Sequence, residues 1–262
     1  MKRTAWPAIC AALLAAIAAA QSGDSARGIF DASGNIGIGA LPGAIEREAA
    51  SGRYRVTGGG ANVWGREDAF YFAWKHVSGD VSITADIEFV GPGAVAHRKA
   101  MLMVRQDLTA GSAYADAALH GDGLTSLQFR SAAGAQTQEI RSEVKGPTRI
   151  RIERRGNRIT LLAGKAGEPL VASGPQTLDL ADPVYVGIGV CSHDAGVLET
   201  AIFSNVQVEQ RTQPAPPRYR SKITIFDPAR RSASVVYQAD QVIEAPNWSR
   251  DGKFLLVNTG GN

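Results

Sequence analysis

Two tryptophans, Trp64 and Trp74, precede a run of polar side chains spaced at strand parity. Arg105 alternates with Met101 and Met103. Tyr114, Asp116 and His120 share parity in the next apolar segment, and Gln128 and Arg130 in the one after. Aromatic rings stack on the apolar faces of sugars, while arginine, aspartate, histidine and glutamine can hydrogen-bond hydroxyls. These eight residues form a candidate carbohydrate groove. The competing reading, in which the tryptophans fill the core and the polar side chains are merely exposed, stays open. Asp86 and Glu88, at i and i+2, offer different chemistry, because glycoside hydrolysis uses a pair of carboxyl groups. The next residue of that parity is Val90 and no third acid follows. A solvated strand face explains the pair more simply, and no catalytic residue is assigned. His76, His97, His120 and His193 are far apart in the chain, without metal-ligand spacing. Asp122, in "HGDGL", could serve a calcium site, but calcium needs about six oxygens or more. A plain turn is the simpler account, and neither a metal nor a cofactor is expected. No G-x-S-x-G, phosphate loop or Cys/His nucleophile pair is found.

The elements that must carry these side chains are short strands. From Tyr54 to Val208 apolar and polar residues alternate with period two, broken by Gly, Asp and Pro. "DVSITADIEFV" sets Val81, Ile83, Ala85, Ile87 and Phe89 against Ser82, Thr84, Asp86 and Glu88. "DAFYFAWKHV" places Phe70, Phe72 and Trp74 on one face or Ala69, Tyr71 and Ala73 on the other. Such alternation buries one face and leaves the other to solvent or a groove. "TRIRIERRGNRITLLAG" predicts a hairpin turning at Gly156-Asn157, residues that accept positive φ at low cost. About ten short strands with turn signals predict an all-β, two-sheet sandwich over 21–210. "RTQPAPPRYR" follows, and its prolines favour an extended linker over 211–219. Beyond it, strands are expected at Lys222 to Phe226, Ser234 to Tyr237 and Phe254 to Asn258.

"GGGANVWGREDAFYFAWKHVSGDVSITADIEF" and "KAMLMVRQDLTAGSAYADAALHGDG" resemble a family of concanavalin-like jelly-roll domains of unknown function, over roughly Gly52 to Glu209. The resemblance implies a curved sandwich whose concave face can hold a ligand, without naming the ligand. In the tail, Ile223 to Asp227, Val235-Val236-Tyr237, Ala245 to Ser249 and Asp251-Gly252-Lys253 resemble the first blade of a TolB-like β-propeller, with Arg250 where that family usually has proline. This implies that 220–262 is a partial blade, that Trp248 packs between blades, and that further blades are needed to bury its faces. The alternative is a strand pair that docks on the sandwich. Tol–Pal function is not implied, because TolB carries a different N-terminal domain.

The N-terminus adds a destination. Met1-Lys2-Arg3, an apolar stretch to Ala20 and small residues before Gln21 predict a signal peptide over 1–20, cleaved after Ala20. The apolar run is too short to span a bilayer comfortably, so no stable membrane insertion is expected after cleavage. Cleavage removes Cys10 and leaves Cys191 alone, so the domain relies on its apolar core rather than a disulfide. The net charge is +3, and loss of Lys2 and Arg3 leaves 26 basic against 25 acidic residues. With no dense basic block, nucleic acid is not an expected partner. The expectation is a non-catalytic periplasmic or extracellular binding protein for a glycan or a cell-envelope protein. The alternatives are the accessory region of a larger propeller-containing hydrolase, or a jelly-roll glycosidase.

Overall fold

The computed structural model describes residues 26–211 and 220–259, and contacts divide the chain into two units, 1–212 and 213–262. The expected signal peptide and positions 212–219 of the linker lie outside the described residues.

Alternation in the first unit builds two antiparallel sheets. The first runs Ala32–Ile36, Phe70–Val77, Val184–Cys191, Lys99–Arg105, Tyr114–His120, Thr125–Arg130 and Gln138–Arg141 in spatial order. The second runs Val171–Ala172, Arg158–Gly164, Arg149–Arg155, Asp80–Phe89, Asp194–Arg211, Tyr54–Gly60 and Ala44–Arg47, with Gln176–Thr177 also paired to Arg158–Gly164. One parity from each sheet enters a shared core. Tyr71, Leu102, Val104, Leu127 and Ile188 come from the first sheet, and Val56, Ile83, Ile152, Leu161 and Phe203 from the second. Each such side chain contributes about 1.5–3 kcal/mol by leaving water. In Asp80–Phe89 the expected pattern appears: Val81, Ile83, Ala85 and Ile87 are buried, while Asp86 and Glu88 point away from the core. The hairpin of Arg149–Arg155 with Arg158–Gly164 turns at Gly156-Asn157, with Arg155 opposite Arg158 and Gly156 at φ +56.

The first sheet departs from the one-face expectation. Lys99–Arg105, Tyr114–His120 and Thr125–Arg130 are buried at every residue. The reason is a small hairpin, Val63–Trp64 with Glu67–Asp68, that folds over the sheet's outer face. Val63 joins Ile36, Phe70, Phe72, Met101, Met103, Tyr114, Ala118 and Cys191 in a second apolar cluster there. Thus Phe70–Val77 serves two cores, with Tyr71 and Ala73 between the sheets and Phe70 and Phe72 under the hairpin.

Among its described residues the second unit holds four strands where two or three were expected: Ser221–Asp227 pairs with Ser232–Ala239, and Ile243–Trp248 with Leu255–Thr259. They pair as two hairpins. The Asp251-Gly252 turn forms as expected. Asp251 Oδ1 accepts from Ser249 Oγ at 2.6 Å, and Ser249 N donates to Phe254 O at 2.7 Å. Phe226, Val235, Val236, Tyr237, Trp248 and Phe254 are exposed.

Candidate ligand-binding site

The outer face of the first sheet carries charged groups at both ends, with Met101, Met103, Ala118 and the buried Asp116 and Gln128 between them. Strand register sets the ends. Arg105 stands opposite Tyr114, which stands opposite Arg130, and at the far end Lys99 stands opposite His120.

At the Arg105 end the polar groups are structural. Asp68, from the covering hairpin, accepts from Arg130 Nη2 at 2.7 Å and Nη1 at 2.9 Å, and lies 3.5 Å from Arg105 Nη2. All three side chains are fully buried. Arg105 also donates to the Asp107 and Thr109 carbonyls at 2.6 Å, and Arg130 to the Ser112 carbonyl at 3.0 Å. The Arg130 guanidinium lies 4.9 Å from the Tyr114 ring centre, and the Tyr114 hydroxyl is 3.2 Å from Thr137 Oγ1. A guanidinium donates but cannot accept, and these two spend their donors on loops and on one carboxylate. They bind the covering hairpin to the sheet.

At the Lys99 end a cavity of about 270 Å³ opens to solvent, lined by Asn62, Trp64, His97, Lys99, His120, Leu124, Gln128, Glu139, Arg141 and His193. Lys99 Nζ donates to Val63 O at 2.7 Å, and to Asn62 Oδ1 and Gln128 Oε1 at 3.0 Å each. It also lies 5.6 Å from the Trp64 ring centre. The three protons of an ammonium are thereby committed. With both amide oxygens turned to Lys99, the amide nitrogens face the imidazoles. Asn62 Nδ2 is 3.2 Å from His193 Nε2, and Gln128 Nε2 is 3.4 Å from His120 Nε2. Those ring nitrogens must accept, which assigns each ring proton to Nδ1. The 3.0 Å approach of His120 Nδ1 to Leu124 O agrees with that tautomer. Two turns complete the rim. The turn carrying His97 is anchored by Arg98 Nη1 to Glu199 Oε2 at 2.6 Å, and His193 occupies a turn at φ +62.

The buried groups here are shifted by their surroundings. Burial raises the Asp116 carboxyl to about 8, against the opposing pull of Lys99. Neither of its oxygens makes a hydrogen bond, although the nearby Gln128 backbone amide favours the charged form slightly. Burial, reinforced by the Lys99 charge, lowers the His120 imidazole to about 4. Burial pushes the Cys191 thiol up to about 11, the condition of an inert core cysteine.

Of the eight residues expected to form the groove, Trp64, His120 and Gln128 line the cavity. Asp116 stands opposite Gln128 and is completely buried. Arg105, Tyr114 and Arg130 belong to the cluster at the other end of the face. Trp74 packs against Phe72 at 5.8 Å and Tyr185 at 6.3 Å between ring centres. Asn62, His97, Lys99, Leu124, Glu139, Arg141 and His193 were not anticipated. Lys99 had a legible signal, since it shares parity with Met101, Met103 and Arg105. His97 and His193 had none: only folding brings them 5.8 Å apart, with His120 5.7 Å from His97. Among the described residues no group of three or more His, Cys, Asp or Glu is arranged to hold a metal. Asp122 makes a turn in which its Oδ1 accepts from the Leu124 amide at 3.0 Å. Asp86 and Glu88 project from the second sheet, on the opposite side of the sandwich from the cavity. Asp86 is gripped by Arg149 at 2.6 and 2.8 Å and by Asn205 at 2.6 Å, which lowers its pKa. A general acid for glycoside hydrolysis needs the opposite shift.

No family model matches the chain. A stretch of 42 residues, 16% of this chain, is 52% identical to an uncharacterized protein of Agrobacterium fabrum, and the chain spans 14% of that protein's length. Among solved structures, a functionally unknown protein from Saccharomyces cerevisiae superposes with a TM-score of 0.51 at 13% identity, covering 65% of this chain and 93% of that one. The carbohydrate binding module CBM66 from Bacillus subtilis gives a lower TM-score of 0.44 at 16% identity, covering 70% and 98%. These likenesses concern the fold alone. The first unit is an all-β sandwich of two antiparallel sheets.

Proposed function

We propose that the protein is exported and acts as a non-catalytic binding module, taking a glycan into the cavity beside Trp64. One observation carries the reading: a half-open cavity walled by a tryptophan ring and by amide and imidazole groups whose orientations are already set. A sugar ring needs an apolar face to stack on and fixed polar partners for its hydroxyls. The cavity has room for one sugar unit, and its polar lining is ordered before a ligand arrives, which lowers the entropic cost of binding. Trp64 is 36% exposed and available for stacking. The test is a glycan array followed by titration of the best ligand. Trp64→Ala should weaken binding about tenfold or more with little loss of stability. Unchanged affinity in that variant removes the site from this cavity.

In the same proposal, 220–262 is the first blade of a TolB-like propeller. Its motif order, its Asp251-Gly252 turn and its exposed apolar side chains support that reading. The intact mass of the protein exported by its native host tests both the export and the propeller. A mass above that of Gln21 to Asn262 is expected. A mass equal to it sinks the propeller, and a mass that retains 1–20 sinks the signal-peptide cleavage.

A further inference from the structure

The glycan reading leaves the charge of the ligand open, and the cavity speaks to it. We infer that the bound sugar carries a negative charge, a carboxylate or sulfate presented to Asn62 and His193. The inference rests on the glycan reading and deepens it.

The direction of the hydrogen bonds favours an anion. Lys99 consumes both amide oxygens, those of Asn62 and Gln128. The cavity therefore keeps amide N–H groups and loses its neutral carbonyl acceptors. The Asn62 Nδ2 group has a second proton beyond the one aimed at His193, and His193 keeps its own on Nδ1. The carboxylate in the lining, Glu139, is held by Arg141 at 2.8 Å. A donor-rich lining selects a ligand that accepts, and charge-assisted bonds to an anion are about twice as strong as neutral ones.

The buried charge favours an anion as well. Lys99, Arg105 and Arg130 are three buried cations on this face, against the two buried carboxyls Asp68 and Asp116. The face keeps an excess of positive charge whether or not Asp116 is ionised. The nearby pairs Arg98 with Glu199 and Arg141 with Glu139 cancel internally. Buried charge is screened weakly by salt, so its field reaches the cavity. A neutral sugar gains nothing from that field, and a cation is repelled.

The experiment uses the full chain and chemically matched probes. Oligogalacturonate is compared with its methyl ester, the same sugar without the charge. A sulfated galactan oligosaccharide is compared with its desulfated form. Binding of one or both anionic probes about tenfold tighter than the neutral partner is expected. Preference for the acid over the sulfate identifies a uronate, and the reverse a sulfated sugar. Equal binding of charged and neutral partners overturns this inference and leaves the glycan reading standing. Binding of neither, when an array finds no other glycan, overturns both. Asn62→Asp supplies the internal check. It sets a carboxylate against Lys99 and removes the amide donor, so the preference for the charged probe should fall about tenfold. An unchanged preference in a folded Asn62→Asp protein also overturns the inference.

Discussion

Burial raises the pKa of both Asp68 and Asp116, and the two differ in their partners. Asp68 accepts from Arg130 and lies against Arg105, so it serves as the counter-ion of two guanidiniums. Asp68→Ala would leave both cations buried and uncompensated, at a cost of about 3–5 kcal/mol, read as a lowered denaturation midpoint. A loss below about 1 kcal/mol would mean that water reaches the cluster. Asp116 has no hydrogen-bond partner and keeps its proton up to about pH 8, against 3.8 for an ordinary aspartate. The folded chain then binds more protons than the unfolded chain between those values, so this contribution to stability declines as pH rises through that window. His120 works in the other sense. Its pKa of about 4 lies below the ordinary 6.5, so its contribution is lost as pH falls from 6.5 to 4. The two oppose each other below pH 6.5, and Asp116 outlasts His120 above it. Lys99 is lowered by burial and opposes Asp116 at alkaline pH, so the comparison is made between variants. Denaturation midpoints of the parent should fall relative to Asp116→Asn between pH 6.5 and 8. Parallel profiles would mean that Asp116 is ionised beside Lys99. Parity put Asp116 and His120 on one face of their strand, and the register that sets Gln128 opposite Asp116 added Gln128 to it. The sequence could not tell which polar residue would have partners.

At the scale of elements, the strand pairs were legible where turn chemistry and alternation agree. The Arg149–Gly164 hairpin is the clearest case, since a left-handed residue is required at its turn and Gly156 supplies it. Gly156→Ala should cost about 1–2 kcal/mol, because nothing crowds its Cβ and only the φ of +56 is strained. Gly187 contrasts with it. A Cβ there would come within 1.8 Å of the Ala73 backbone oxygen in a neighbouring central strand. Gly187→Ala must push two strands apart, and thermal melts should show a loss several-fold larger than for Gly156→Ala. Equal losses would show that the sheet yields easily at that point. The covering hairpin, Val63–Trp64 with Glu67–Asp68, had no such signal. Each of its strands is two residues long, too short for a period to register, and it is held by Asp68 and by side-chain contacts from distant strands. The burial of Arg105, Tyr114 and Arg130 follows from that one element.

At the scale of the molecule, the sandwich holds two apolar clusters and the second unit leaves large side chains exposed. A chain ending after Thr212 should unfold cooperatively with the midpoint of the full chain. A midpoint lowered by several degrees would show that the sandwich depends on the tail. The amino-acid sequence determined the all-β class, the alternating core, the Gly156-Asn157 hairpin and the Asp251-Gly252 turn, because each depends on neighbours within a few residues. It also nominated three residues that line the cavity, Trp64, His120 and Gln128. The tertiary structure alone decided the rest. It closed a hairpin over one face and converted Arg105 and Arg130 from candidate ligand contacts into anchors. It also gathered His97, His120 and His193 around Lys99. The physical reason is range: strand parity is a property of successive peptide units, whereas burial, pairing and field strength depend on segments that only the packed chain brings together.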